Sequence, residues 1–125
     1  MATLLIIDDE VELCEIHAAY AGDLGWHCLT ANDSTTALQI LAKQDVDLVM
    51  TDMKMPGLSG IDFLREKIVR GFYHPVIICS ASVRSFDDIF SKKENHRVIA
   101  VLDKPIAEDK LAQALALVWQ QKKPA

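Results

Sequence analysis

The chain has 125 residues, 50% hydrophobic and 25% charged, the size and balance expected of one globular domain, residues 1–125, with one core. Thirteen Lys and Arg against 18 Asp and Glu give a formal net charge of -5, which argues against direct nucleic-acid binding through phosphates, and the longest apolar runs, such as LLII and LALVW, are far too short for membrane insertion. No charged stretch leading into a long apolar one opens the chain, and Cys14, Cys28 and Cys79 are widely spaced with no CxxC, so the expectation is a cytoplasmic protein with reduced thiols and no secretory signal.

In chain order, TLLIID (3–8) reads as a strand and EVELCEIHAAYAGDLG (10–25) as a helix, with Val11, Leu13, Ile16 and Tyr20 at roughly helical spacing and Gly22 or Gly25 ending it. WHCLTA (26–31) is a second strand, and DSTTALQILAKQ (33–44) a helix with an Asp or Ser cap and Ala37, Leu38 and Leu41 facing inward. DLVMTD (47–52) is the third strand. A helix follows from Gly60 to about Arg70, with Ile61, Leu64 and Ile68 on one face. Pro75 precedes VIICS (76–80), a fourth strand; SFDDIFSKK (85–93) is a weaker helix; RVIAVLD (97–103) is the fifth strand. AEDKLAQALALVWQQKK (107–123) is the last helix, its stripe Leu111, Ala114, Leu115 and Val118. Strands alternating with helices predict an α/β fold: a doubly wound, five-stranded parallel sheet of (βα)5 flavodoxin-like form, covered on both faces, with right-handed crossovers. The nearly continuous apolar strands agree, because both sides of such a sheet are buried.

In open α/β sheets function gathers at the carboxyl ends of the strands. Here those ends carry Asp8-Asp9-Glu10, Asp52, Ser80 and Asp103-Lys104-Pro105. A strand order of 2-1-3-4-5 would set Asp8, Asp9 and Asp52 side by side, flanked by Ser80 and Lys104. Two carboxylates ~4 Å apart repel by roughly 4 kcal/mol at an effective dielectric of ~20. One lysine cannot offset three such charges; a hard dication can, and an all-oxygen ligand set suits Mg²⁺. The cleft therefore suggests phosphoryl chemistry, with Asp52 as nucleophile and Lys104 and Ser80 holding phosphoryl oxygens.

The segments LLIIDDE, LVMTDMKMPGLSG, VIICSAS and LDKP, each at a strand end and in this order, resemble the receiver domain of two-component response regulators over essentially the whole chain. The resemblance implies that Asp52 accepts a phosphoryl group from a histidine kinase, a phosphotransfer protein or a small acyl phosphate. It implies that Asp9 ligates Mg²⁺ directly, that Asp8 is the neighbouring acid acting through water, and that Lys54 offers its backbone carbonyl. Ser80 matches the hydroxyl that bonds the phosphoryl group, Ala81 the small residue beside it, and Lys104 the lysine that pairs with it. The bond before Pro105 is often cis in this family, and Pro56 and Gly60 match the turn and helix start after the acceptor. A domain of this kind is a signalling switch, not an enzyme with turnover of its own beyond self-catalysed phosphotransfer and dephosphorylation. Phosphorylation shifts an equilibrium between two conformations that a downstream protein or effector domain reads.

Four positions depart from the family's pattern. Val101 stands three residues before the lysine, where Tyr or Phe is usual, so the switch cannot use a rotating aromatic ring. Ile106 replaces a common Phe, Ser80 a common Thr, and KKENHRV lacks a usual Gly-Ala. The resemblance implies that Lys54 and Ser82 occupy positions that tune dephosphorylation in this family. Two other functions fit parts of the pattern. A receiver-like interaction module regulated without phosphorylation is compatible with Val101. A phosphatase of the haloacid-dehalogenase type also uses a strand-end aspartate, but it needs a second aspartate two residues on, where this chain has Lys54. The four histidines, His17, His27, His74 and His96, show no metal spacing and read as structural or exposed.

Overall fold

The computed structural model describes residues 2–53, 60–80 and 97–122. Five strands form one sheet: β1 (Thr3–Ile7), β2 (His27–Ala31), β3 (Leu48–Asp52), β4 (Val76–Ser80) and β5 (Val98–Asp103), in the order β2-β1-β3-β4-β5 and all parallel. Among the described residues there are four helices: α1 (Val11–Asp23), α2 (Ser34–Lys43), α3 (Gly60–Val69) and α4 (Glu108–Lys122). The expected sheet and strand order are those observed. The helix expected over 85–93 lies outside the described residues, as do Lys54, Pro56, Ala81 and Ser82.

Alternate residues of each strand face opposite sides of the sheet. Leu4, Ile6, Leu48, Met50, Ile77 and Cys79 join a core with Cys14 and Ala21 of α1 and with Leu111, Ala114, Leu115 and Val118 of α4. Leu5, Ile7, Val49, Val76 and Ile78 join a second core with Ala37, Leu38 and Leu41 of α2 and with Phe63 and Leu64 of α3. The sheet is thus buried on both faces, which is why its central strands are apolar almost throughout. Trp26 is 5% exposed and packs in the first core, a structural role.

Local chemistry sets the helix boundaries. Asp33 caps α2, its Oδ1 accepting the Thr36 amide at 2.7 Å. Gly25, at φ 99°, ends α1 in the left-handed region; its amide donates to the Gly22 carbonyl and the next amide, of Trp26, to the Ala21 carbonyl. The register of α1 differs from expectation. Val11 and Ile16 are 54% and 59% exposed, Leu13 and Tyr20 are half-buried, and the inward face is Cys14, Ala18 and Ala21. Small residues at 14, 18 and 21 keep the helical period and let the helix lie close on the sheet, so the larger apolar side chains turn outward.

In α3, Leu64 is buried as expected, but the adjacent inward positions belong to Phe63 and to Lys67, which is 0% exposed. The Lys67 Nζ donates to the carbonyls of Phe72 (2.8 Å) and His74 (2.7 Å) and so closes the turn from α3 into β4. Burial, reinforced by the charge of Arg97, pushes its ammonium down to about 8 from the ordinary 10.5. The neutral amine has two N–H groups for those two carbonyls, whereas the ammonium carries a third proton. Between pH 8 and 10.5 the unfolded chain binds a proton at Lys67 that the folded chain has released, so this residue's contribution makes stability rise with pH there. In urea unfolding at pH 8 and pH 10, Lys67→Met is expected to remove that upward component; an unchanged difference between the two midpoints would refute the assignment.

Candidate functional site

The strand register brings four polar residues level. Ile7 of β1 pairs with Thr51 of β3, Asp52 with Cys79 of β4, and Ser80 with Asp103 of β5. Asp8 and Lys104 each follow directly on a strand. All therefore emerge at the carboxyl edge of four adjacent strands, β1, β3, β4 and β5.

Asp8 is held on every side. Its amide donates to the Ala31 carbonyl (3.1 Å), its Oδ1 accepts the Glu10 amide (2.9 Å), and its carbonyl accepts from Asn32 Nδ2 (3.0 Å) and from the Cys14 thiol (3.5 Å). The backbone on either side of Asp52 is fixed as well: the Thr51 hydroxyl donates to the Asp52 carbonyl (3.0 Å), and the Met53 amide to that of Cys79 (3.3 Å). Asp8, Asp52 and Ser80 are 3%, 7% and 2% exposed.

One cation joins the two buried acids. Lys104 Nζ lies 3.1 Å from Asp8 Oδ2 and 3.1 Å from Asp52 Oδ2. The Lys104 amide also donates to the Ser80 carbonyl at 3.0 Å, tying the lysine's backbone to the end of β4. Burial alone would lower the Lys104 ammonium; the ion pairs with Asp52 and Asp8 outweigh it and raise the group above its ordinary 10.5. Asp9 is exposed on the outer side of the cluster. Desolvation first, then a side-chain hydrogen bond with Asp8 and the charges of Asp8 and Asp52, hold its carboxyl above the usual 3.8.

Asp8, Asp9 and Asp52 each present a carboxylate oxygen, all within 4.8 Å of one another. Among the described residues, one lysine faces three carboxylates, so acids outnumber cations in the cluster. The donors are oxygens only, two buried and one open to water, a set that suits a hard dication retaining part of its hydration. The thiols nearby are not ligand candidates. Burial pushes Cys14 up to about 11 and Cys79 up to about 12, so neither offers a thiolate at neutral pH.

Of the residues named from sequence, Asp8, Asp9, Asp52 and Lys104 converge, and Ser80 stands beside them at the buried end of β4. Lys54 lies outside the described residues. Val101 is half-buried in β5, opposite Ile78, and packs against the core on the α2 and α3 side. Sequence reasoning missed Asn32 and Cys14, which anchor the Asp8 carbonyl. Asn32 was findable, since it directly follows β2 and so falls on the same edge.

Comparison with known proteins finds relatives in sequence and in fold. The family model described as "Response regulator receiver domain" matches residues 4–116. The sensor histidine kinase RcsC of Salmonella typhi is 30% identical over 119 residues, covering 91% of this chain but 12% of the kinase, so the chain corresponds to a small part of that relative. The crystal structure of a response regulator receiver domain protein from Clostridium thermocellum superposes with a TM-score of 0.83 at 34% identity, covering 98% of this chain and 97% of that one. The response regulator TrrA from Thermotoga maritima, solved in complex with Mg²⁺-BeF, shares the fold with a TM-score of 0.80 at 23% identity, covering 94% of this chain and 99% of that one.

Two substitutions read the electrostatics directly. In metal-free buffer at neutral pH, Asp9→Asn is expected to raise the urea midpoint, because it removes one of three mutually repelling carboxylates. Lys104→Met is expected to lower stability by about 3 kcal/mol, because Asp8 and Asp52 lose the ammonium that bridges them while staying buried. Midpoints that move in the same direction for both variants would contradict this charge balance.

Proposed function

This chain belongs to the response regulator receiver domain family, and from that membership we propose that Asp52 is its phosphoacceptor. On this reading residues 1–125 form one cytoplasmic receiver domain. A histidine kinase or phosphotransfer protein, or a small acyl phosphate, donates the group, and a downstream protein or effector domain reads the result. The net charge of -5 fits a module that acts through protein contacts and not on nucleic acid. Among the described residues no helix is long and apolar enough to cross a membrane.

The observation that carries the proposal is the Lys104 bridge: one ammonium 3.1 Å from Asp8 and 3.1 Å from Asp52, with Asp9 completing an all-oxygen cluster. Asp52, on the end of a buried central strand, cannot swing far, so an incoming phosphorus meets a carboxylate oxygen already positioned. That oxygen forms the new O–P bond as the P–N bond of a phosphohistidine breaks, and the electron pair leaves on the imidazole nitrogen. Lys104 then exchanges a carboxylate partner for a phosphoryl oxygen, and the Ser80 hydroxyl donates to another. Asp8, Asp9 and Asp52 would hold Mg²⁺, together with the Lys54 carbonyl that the family pattern implies. Bound there, Mg²⁺ supplies the positive charge that offsets the acids and the transferring group. Later attack by water returns Asp52 to its free carboxylate and releases inorganic phosphate, the self-catalysed part of the cycle. Val101 leaves the change at Ser80 and Lys104 to be transmitted without an aromatic rotor.

Incubation with Mg²⁺ and acetyl phosphate, followed by intact mass measurement, is expected to show the gain of one phosphoryl group. The gain should vanish in Asp52→Asn and on chelation of the metal. A wild-type chain that stays unmodified while binding Mg²⁺ would sink the proposal and favour an interaction module that works without phosphorylation. Continuous release of phosphate from small esters would favour a phosphatase instead.

A further inference from the structure

The backbone at Asp8 is held from two elements at once. Its amide donates to the Ala31 carbonyl at the end of β2 (3.1 Å), and the next residue, Asn32, returns a bond from its side chain, Nδ2 donating to the Asp8 carbonyl at 3.0 Å. Consecutive residues thus clasp both backbone polar groups of Asp8. The Cys14 thiol of α1 adds a longer contact to the same carbonyl (3.5 Å) and accepts from Asn32 Nδ2 at 3.7 Å. The Asn32 amide has two N–H groups, one for each of these acceptors, so its orientation is set as well.

What the clasp controls is Asp9. A peptide unit is planar, so the direction of the Asp8 carbonyl fixes where the Asp9 Cα lies. The Asp8 carboxylate has partners of its own, the Glu10 amide at Oδ1 and Lys104 at Oδ2. Asp9 is the exposed member of the cluster, yet it presents a carboxylate oxygen within 4.8 Å of those from Asp8 and Asp52. Like charges at that range favour an outward swing of Asp9, and exposure leaves room for one. A carbonyl tied to the end of β2 opposes the swing, because β2 is itself paired with β1 from Thr3↔His27 to Ile7↔Ala31.

We infer that Asn32 is a positioning residue for the metal: through the Asp8 carbonyl it keeps Asp9 beside the two buried acids, in place for Mg²⁺ before the ion arrives. This role rests on the reading of the cluster as a Mg²⁺ site. Groups behind the ligands of a metal commonly orient them and tune its affinity in this way. Asn32 is exposed and belongs to neither core, so its truncation leaves the packing intact. In the metal-free chain two effects of that truncation oppose each other: a hydrogen bond is lost, and Asp9 is freed from its repelling neighbours. With the ion bound only the loss remains. The substitution therefore shows in metal affinity more than in stability.

The test is a Mg²⁺ titration of the whole chain followed by backbone NMR, with urea midpoints in metal-free buffer beside it. Asn32→Ala is expected to weaken Mg²⁺ binding about fivefold, the equivalent of one neutral hydrogen bond, while its metal-free midpoint stays close to that of the wild type. In an Asp9→Asn background the ligand that Asn32 places is gone, so adding Asn32→Ala is expected to change affinity by less than about twofold. Unchanged affinity in Asn32→Ala, or an equal loss in both backgrounds, would overturn the role of Asn32 and leave the Mg²⁺ site standing. A wild-type chain with no saturable shift at Asp8, Asp9 and Asp52 would remove the metal site and this role with it. If Asp9→Asn no longer saturates, the comparison of wild type with Asn32→Ala decides alone.

Discussion

The carboxyl edge of this sheet depends on one cation shared by two buried acids. Parallel pairing forces β1, β3 and β4 to end level, and this delivers Asp8 and Asp52 to neighbouring positions however strongly they repel. Lys104 makes the placement tolerable by standing 3.1 Å from each. The arrangement is asymmetric: the ammonium satisfies the two inner acids, while Asp9 remains outside and still feels both. The site is therefore stable enough to form from the chain's own charges and yet remains electron-rich, a condition that invites a further cation.

The rest of the fold keeps that edge from relaxing. Both faces of the sheet are packed, by α1 and α4 on one side and by α2 and α3 on the other, so no strand can twist to separate the acids. Behind Asp8, backbone and side-chain partners from β2, Asn32 and α1 take up its amide and carbonyl. The amide of Lys104 is bonded to the carbonyl of Ser80, so the hydroxyl residue and the lysine share one backbone link and a displacement of either reaches the other.

Much of this was legible in the sequence, for a geometric reason. Once strands and helices alternate, the sheet is parallel and every strand's last residue falls on one edge, so Asp8, Asp52, Ser80 and Lys104 could be placed together without coordinates. The inward stripes of α2 and α4 were legible because each carries at least two buried leucines at helical spacing. That of α1 was not: Cys14, Ala18 and Ala21 are small, while Val11 and Ile16 carry the stronger apolar signal and face outward. Lys67 escaped because a lysine on a helix ordinarily marks the solvent side; its burial is set by two carbonyls of a turn five and seven residues away, Phe72 and His74.

The thiols beneath the acidic edge have a use of their own. Cys14 and Cys79 are 2% and 3% exposed and keep their protons far above neutral pH. An alkylating reagent meets them only in molecules whose helices have lifted from the sheet, whereas the half-buried Cys28 is open to smaller fluctuations. The chain thus carries its own clock for breathing: the lag between the first and the later alkylations times how often the core beneath the carboxylates comes apart.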